Sequence, residues 1–331
     1  MYINRKEYFI ISLIAIFFVF IFSYGTILST NLKCKEIDYV LTINKNSNLN
    51  DVALQLEEEM CVNKKIFKLS MYLTFNQNKI KFGRHDLSAV RNIRDLVATI
   101  TTINTDKVKV TLLEGWRIQD VALELESKMN IDVEKFIYLC YDNNIIKTLG
   151  LSEEISSLQG FLYPDTYFFL KTYTEKDIIE VLVSQFRINY KKNIQNKTKL
   201  NLYETVILAS IIQGESKYKE DMDTISSVYH NRLQKNMLLQ ADPTVQYLMP
   251  KQKKNLLYED IEIDSPYNTY KYKGLPPGPI NNPGITAMIA ASNPAQSNFL
   301  YFVSNRQGTH IFNHTYKQHL KSKRDVSRKF K

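Results

Sequence analysis

LTINKNSNLNDVALQLE (residues 41–57) returns as VTLLEGWRIQDVALELE (residues 110–126), with Asp-Val-Ala-Leu-x-Leu-Glu identical in both copies. Each copy reads as a short alternating strand, a polar turn and an amphipathic helix. Two copies are too few for a solenoid. The pattern predicts one strand–helix module used twice, in a small N-terminal domain and again at the entry to a larger one. Around the first copy, periodicity predicts helices near 50–59, 64–73 and 93–101 and a strand near 81–87. After the second, helices are expected near 118–129, 133–140, 175–190, 202–213 and 222–233, with short strands near 167–170 and 299–304. The irregular order of elements argues an α+β class, with domains at 36–105 and 107–331.

Ahead of both domains, Arg5 and Lys6 precede an uncharged apolar run over 8–28. About 20 such residues span a bilayer as a helix. Positive residues before the run predict a cytoplasmic tail (1–7), one transmembrane helix (8–28) and the remainder outside. A cleavable signal peptide is the rival, but the run exceeds an ordinary signal core and no small-x-small site follows it. Bulky Lys33 argues against a lipoprotein site at Cys34.

The net charge of +9 suits anionic headgroups or an acidic polymer. It equally reflects a chain rich in Lys, Asn, Ile and Tyr throughout. There is no nucleic-acid motif, and the compartment argues against nucleic acid as a partner. Three cysteines (Cys34, Cys61, Cys140) match no metal spacing. Cys34 and Cys61 can bridge in an oxidising compartment, though unpaired thiols are the simpler reading. The His residues do not group as ligands, so no metal or cofactor is expected. The basic C-terminal residues (321–324 and 328–331) read as a solvated tail.

Glu215 is the residue with the clearest chemistry. It ends Ala209-Ser-Ile-Ile-Gln-Gly-Glu-Ser216, where Ile211 and Ile207 fall on its own helical face. Gly214 is expected to end the helix there. A dry wall and the negative end of a helix both disfavour the ionised carboxyl, so its pKa should rise. An acid that stays protonated near neutral pH is what glycosidic cleavage needs. The bland alternative is a buried glutamate satisfied by a partner such as Arg232. Further on, residues 242–294 are rich in Pro, Gly, Asn and Tyr, which excludes a regular helix or central strand. Interleaved aromatics argue for an ordered loop that lines a site.

A series of motifs then stands in order: Leu112-Leu-Glu-Gly-Trp116, Leu158-Gln-Gly-Phe-Leu-Tyr-Pro-Asp-Thr-Tyr167, Leu208-Ala-Ser-Ile-Ile-Gln-Gly-Glu215, Val228-Tyr-His-Asn-Arg-Leu233, Leu239-Gln-Ala-Asp-Pro-Thr-Val245, Tyr267-Asn-Thr-Tyr270 and Gly274-Leu-Pro-Pro-Gly-Pro-Ile280. Together they resemble the YceG-like endolytic murein (lytic) transglycosylase family over roughly residues 41–320. The resemblance implies an inner-membrane protein with a LysM-like α/β module and an α+β catalytic domain facing the wall. It implies peptidoglycan glycan strands as substrate, cut within nascent chains to leave 1,6-anhydro-N-acetylmuramic acid ends. It also implies synthases of the penicillin-binding class as partners, and one catalytic glutamate. Two positions depart from the family pattern: Gln213 and Gln159 stand where glutamate is usual.

Glu215 is the expected catalytic residue, because the Glu215–Ser216 pair is similar to that of other lytic transglycosylases. A helix turns Gln213 about 200° away. Gln240, Asp242, Thr244 and Gln246 offer amide, carboxyl and hydroxyl groups to a sugar. Tyr267, Asn268 and Tyr270 could form a polar-edged wall for pyranose faces, or simply pack their loop. Asn231 is a further binding candidate. Arg232 more naturally holds Asp242 or Asp165 in an ion pair, since interior polar groups are paired, or else touches the peptide stem. Asp165 itself fits a turn cap. Two other functions fit the same residues: an inactive wall-binding protein, suggested by Gln159 and Gln213, and a hydrolytic muramidase using Asp242 or Asp165 as a second carboxyl.

Overall fold

The computed structural model describes residues 5–30, 40–44, 46–60, 62–88, 90–102, 107–194, 200–216, 218–251, 253, 256–305 and 307–329. Cys34 and Cys61 lie outside them. The chain divides into two compact units, one of Met1–Lys107 with Leu170–Thr174, the other of Val108–Phe169 with Glu175–Lys331.

The first unit contains α1 (Arg5–Leu28), β1 (Val40–Ile43), α2 (Leu49–Met60), α3 (Lys64–Leu73), β2 (Gly83–Asp86) and α4 (Ile93–Thr101). Within α1, Phe9–Leu28 is long and apolar enough to cross a membrane. At 1.5 Å per residue its 20 residues extend about 30 Å, the thickness of a bilayer's hydrocarbon core. β1 and β2 pair antiparallel, Leu41 opposite His85. A core of Leu41, Ile43, Val52, Leu56, Phe67, Met71, Leu96 and Ile100 lies beneath them. Asn63 caps α3 by accepting from the N–H groups of Lys65 and Ile66, and Asn92 caps α4 by accepting from Asp95.

In the second unit the chain runs β3 (Lys107–Thr111), α5 (Ile118–Lys128), α6 (Val133–Tyr141), α7 (Asn143–Thr148), β4 (Thr166–Leu170), α8 (Glu175–Asn193), α9 (Leu202–Glu215), α10 (Lys219–Gln234), α11 (Asp242–Tyr247), α12 (Tyr258–Ile261), α13 (Ile285–Ser292), β5 (Tyr301–Ser304), β6 (His310–Asn313) and α14 (Tyr316–Lys329). The strands of the described residues form two-stranded sheets, β1–β2, β3–β4 and β5–β6. Short sheets among many helices make the class α+β.

The repeat has the same physical meaning in both copies. Val52, Ala53 and Leu56 are buried in α2, and their counterparts Val121, Ala122 and Leu125 are buried in α5. The intervening leucine, Leu54 or Leu123, faces solvent in each. A 3.6-residue period puts the first three on one face and the fourth outside it.

Five elements were not expected. α7, α11, α12 and β6 are short; α11 and α12 lie in the 242–294 stretch where a regular helix was excluded, and α11 carries its proline in the first turn, where the missing N–H costs nothing. α14 occupies the basic segment read as a solvated tail. Lys and Arg are good helix formers, and Val326 supplies a buried contact. α14 packs on β5 and β6.

The proline-rich loop is ordered because it is stitched to its surroundings. Asn282 Oδ1 accepts from the backbone N–H of Gly160 at 2.8 Å and of Leu162 at 3.1 Å, while its Nδ2 donates to Trp116 O at 2.9 Å. Gly160 has φ +89, and a Cβ there would lie 2.6 Å from Val206 Cγ1, so only glycine fits. Asn281 Nδ2 donates to Ser210 O at 2.8 Å, and Ser210 Oγ accepts from Ile280 N at 3.0 Å. The loop is thus tied to the middle of α9. Asn282→Ala leaves buried donors and an acceptor unmatched, and should cost about 2–4 kcal/mol of unfolding free energy. Denaturant unfolding of the purified chain checks this; a change below about 0.5 kcal/mol, the scale of neutral surface substitutions, would contradict it.

Candidate active site

Glu215 is the last residue of α9. The helix opens on a capping box: Asn201 Oδ1 accepts from Glu204 N at 2.8 Å, and Glu204 Oε2 accepts from Asn201 N at 2.9 Å. Every residue from Thr205 to Gln213 is buried. The apolar stripe expected from the sequence is therefore an entire circumference, with α13, α10 and α11 packed around it. Contrary to expectation, Gly214 does not end the helix; it stays helical and Ser216 turns extended at φ −138. Its value is spatial, since a Cβ there would stand 2.6 Å from Pro243 Cβ. The missing side chain lets α11, which begins at Asp242, abut the end of α9.

Tyr229 of α10 donates its hydroxyl to Glu215 Oε1 at 2.6 Å. Tyr229 is itself buried, its ring edge-on to Phe302 at 5.9 Å. Burial pushes the Glu215 carboxyl up to about 7; the Tyr229 hydrogen bond opposes the rise, the nearby Asp242 charge adds to it, and Arg232 opposes it. Burial and the Glu215 charge push the Tyr229 phenol well above its usual range, so this hydroxyl remains a donor.

Glu215 and Asp242 line two cavities in common. One, of about 770 Å³, is also walled by Arg232, Gln240, Tyr270, Tyr301 and His319. The other, of about 990 Å³, is walled by Trp116, Arg117, Gln213, Gln246 and Asn281. Each falls in the size range of ligand clefts, roughly 300–1,000 Å³.

The expected site residues divide between cavity wall and scaffold. Gln240 lines the first cavity in a left-handed conformation (φ +48), its N–H donated to Thr269 O at 3.0 Å. Such backbone strain persists where surroundings hold it and gathers at functional sites. Tyr270 lines the same cavity and donates its hydroxyl to Asp242 Oδ1. Gln246 lines the second, its amide bonded twice to the Lys253 backbone at 2.7 and 2.9 Å.

Thr244, Asn268, Asn231 and Tyr267 line neither cavity. Thr244 is sealed inside, its Oγ1 bonded to Ala241 O and Thr269 Oγ1. Asn268 Nδ2 donates to Ile261 O and Ile263 O, and Asn231 Nδ2 to Ser297 O and Phe299 O. These amides satisfy loop carbonyls that would otherwise be buried unpaired. The Tyr267 ring packs 5.0 Å from that of Tyr247.

Arg232 pairs with neither Asp242 nor Asp165. Its Nε donates to Leu300 O at 2.7 Å and its Nη1 to Leu239 O at 2.7 Å and Leu238 O at 3.2 Å. Asp165 caps a turn through Thr166 N at 2.7 Å. Gln213 Oε1 accepts from Gly284 N at 3.0 Å, and Gln159 Oε1 from Ile118 N at 3.1 Å. Both departures from the family pattern thus serve as backbone acceptors, a task glutamine and glutamate share. Gln213 is nevertheless buried and on a cavity wall, not turned aside. No metal-holding group of side chains occurs among the described residues.

Sequence reasoning missed Tyr229 as the partner of Glu215, and it missed the wall built by Tyr301, His310, Tyr316, His319 and Lys323. Residues 229 and 215 meet only through packing of neighbouring helices. The last three wall residues ride on the unforeseen α14.

An α+β unit that sets one neutral-leaning carboxyl between two polar cavities defines a class: proteins built around a single proton donor in a cleft. The model of the YceG-like family matches residues 41–325, and the chain belongs to that family. It is 35% identical over 230 residues to a Bacillus subtilis protein named endolytic murein transglycosylase, covering 65% of this chain and 64% of that one. It is 28% identical over 296 residues to a Streptococcus pneumoniae protein of the same name, covering 80% and 53%. The chain thus matches under two thirds of the length of these relatives. A crystal structure of a YceG-like protein from Listeria monocytogenes superposes with a TM-score of 0.60 at 30% identity, covering 87% of this chain and 99% of that one.

The raised pKa has a consequence for stability. Between about 4.5 and about 7 the folded chain holds the Glu215 proton and the unfolded chain releases it. Stability from this group therefore falls as pH rises through that window. Glu215→Gln, which keeps an acceptor for Tyr229, should gain about 1–3 kcal/mol relative to the parent on going from pH 5 to pH 8. Paired denaturant melts at the two pH values test this, and an unchanged difference would count against a buried acid.

Proposed function

We propose that this chain is a membrane-anchored endolytic transglycosylase of peptidoglycan that cuts nascent glycan strands without water and contributes to strand termination in wall assembly. The observation that carries the reading is Glu215, lifted to about 7 and flanked by cavities on two sides. A cut inside a strand requires sugar on both sides of the acid. The names of the relatives agree.

In this mechanism Glu215 first acts as acid. Its proton passes to the bridging oxygen as the bond from muramic C1 breaks. The C6 hydroxyl of the same sugar then attacks C1, and the Glu215 carboxylate takes the hydroxyl proton. The nucleophile is intramolecular and already close, so one carboxyl completes the cycle and is regenerated protonated. Tyr229 fixes Oε1, leaving Oε2 to carry the mobile proton. Gln240, Asp242, Tyr270 and Gln246 line the path of the strand and are the proposed sugar contacts.

The first unit is proposed to be a LysM-like wall-binding module; its β1–α2–α3–β2 order with paired strands supports this. α1 is proposed as an uncleaved inner-membrane anchor with the N-terminus cytoplasmic and the large unit outside. Synthases of the penicillin-binding class are the proposed partners. A hydrolytic reading keeps one point of support, Asp242 on the same cavity walls as Glu215.

Product ends separate the two. Digestion of uncrosslinked strands followed by mass spectrometry should give ends lighter by about 18 Da, one water, than hydrolytic ends. Glu215→Gln should lower their yield by a factor of about 10² or more, the scale of losing an acid–base group. Reducing ends that incorporate solvent oxygen would establish hydrolysis instead.

A further inference from the structure

Arg232 has more to offer than its structural bonds. It is only 7% exposed, yet it is ion-paired with no carboxylate among the described residues. A buried charge that no carboxylate touches is costly, and the Glu215 acid nearby answers it only at a distance. Carbonyls of Leu300, Leu238 and Leu239 hold Nε and Nη1, and the Tyr301 ring lies 5.1 Å beneath the guanidinium. Nη2 has no acceptor among the described residues, and Arg232 lines the cavity it shares with Glu215.

Lys323 and His319 of α14 line the same cavity. Neither ring nitrogen of His319 has a hydrogen-bond partner among the described residues, and its Nδ1 is buried. The other cavity histidine, His310, is already bonded to Asp221 at 2.9 Å. Of the cavity's two acids, Asp242 accepts from Tyr270 and Glu215 from Tyr229. Arg232 and Lys323 are thus the cavity's cations without an ion pair among the described residues, while each of its two acids already accepts a tyrosine hydroxyl.

We propose that Arg232, with Lys323 and His319, forms a carboxylate subsite that grips the acidic substituent of a muramic acid residue beside the scissile bond. The substrate identity rests on the transglycosylase reading; the anion preference rests on the cavity itself. The carboxylate can come from two sources: the lactyl group of a muramic residue without peptide, or the peptide stem attached there. A guanidinium fixed in place before binding loses little freedom on taking an anion.

The test is calorimetric titration of the full chain in detergent with three probes. They are the N-acetylglucosaminyl-N-acetylmuramic acid disaccharide, the same disaccharide bearing a stem peptide with free carboxylates, and that compound with its carboxylates amidated. One or both of the first two should bind about tenfold or more tightly than the third, the scale of a charge-assisted hydrogen bond. Which of them does so identifies the source. Arg232→Gln and Lys323→Glu should each bring the ratio close to one. Arg232 also holds three carbonyls, so Lys323→Glu, on an exposed side chain, carries the test where Arg232→Gln fails to fold. Equal binding of all three probes, binding of none, or a ratio untouched in the folded variants overturns the proposal. Turnover plays no part in this measurement. A chain that discriminates the probes but yields no anhydro ends sinks the transglycosylase reading alone; one that makes anhydro ends but does not discriminate sinks this proposal alone.

Discussion

The bond from the Tyr229 hydroxyl to Glu215 is the contact on which the site depends. A carboxyl drawn out of bulk solvent at the end of a buried helix resists ionisation. Left without a partner it would also be free to turn. Tyr229 removes that freedom at one oxygen and stays a donor because its own burial keeps its proton in place. Burial wins over the influences that oppose it. Burial and Asp242 push the acid up, Tyr229 and Arg232 pull it down, and the outcome lies near neutrality, where a group can both give and take a proton.

That arrangement needs a rigid frame, and the frame is built mostly from polar side chains bonded to backbone. Asn282 joins the proline-rich loop to the turns at Trp116 and Gly160, and Asn281 and Gln213 tie it to α9. Thr244, Asn268 and Asn231 do the same for the loops around the first cavity. Gly214 and Gly160 supply the close approaches that side chains would block. The site is thereby held by side chains bonded to backbone, two of them, Gln213 and Asn281, on the cavity wall itself.

Some of this was legible in the sequence and some was not, for physical reasons. The repeated Asp-Val-Ala-Leu-x-Leu-Glu announced its buried face because helical periodicity is local. The α+β class and the buried, mostly apolar body of the helix that ends at Glu215 followed from the same kind of pattern. The roles of Thr244, Asn231 and Asn268 did not. An exposed sugar-binding amide and a buried one that holds a carbonyl look alike until the loops are placed. α14 was hidden because a helix rich in Lys and Arg with one buried Val326 has no apolar stripe to read. Tyr229 was visible as a letter in a motif, but its meeting with Glu215 is a product of helix packing alone.

The central claim is that Glu215 keeps its proton far above the ordinary carboxylate range, up to about 7. Carbon-13 labelling of glutamate carboxyls, with Glu215→Gln used to assign the resonance, would follow its titration directly by NMR. A midpoint near 7 is what the account requires. A midpoint near the ordinary glutamate value of about 4.3 would mean the carboxyl is ionised when substrate arrives, and the proposed chemistry would fail.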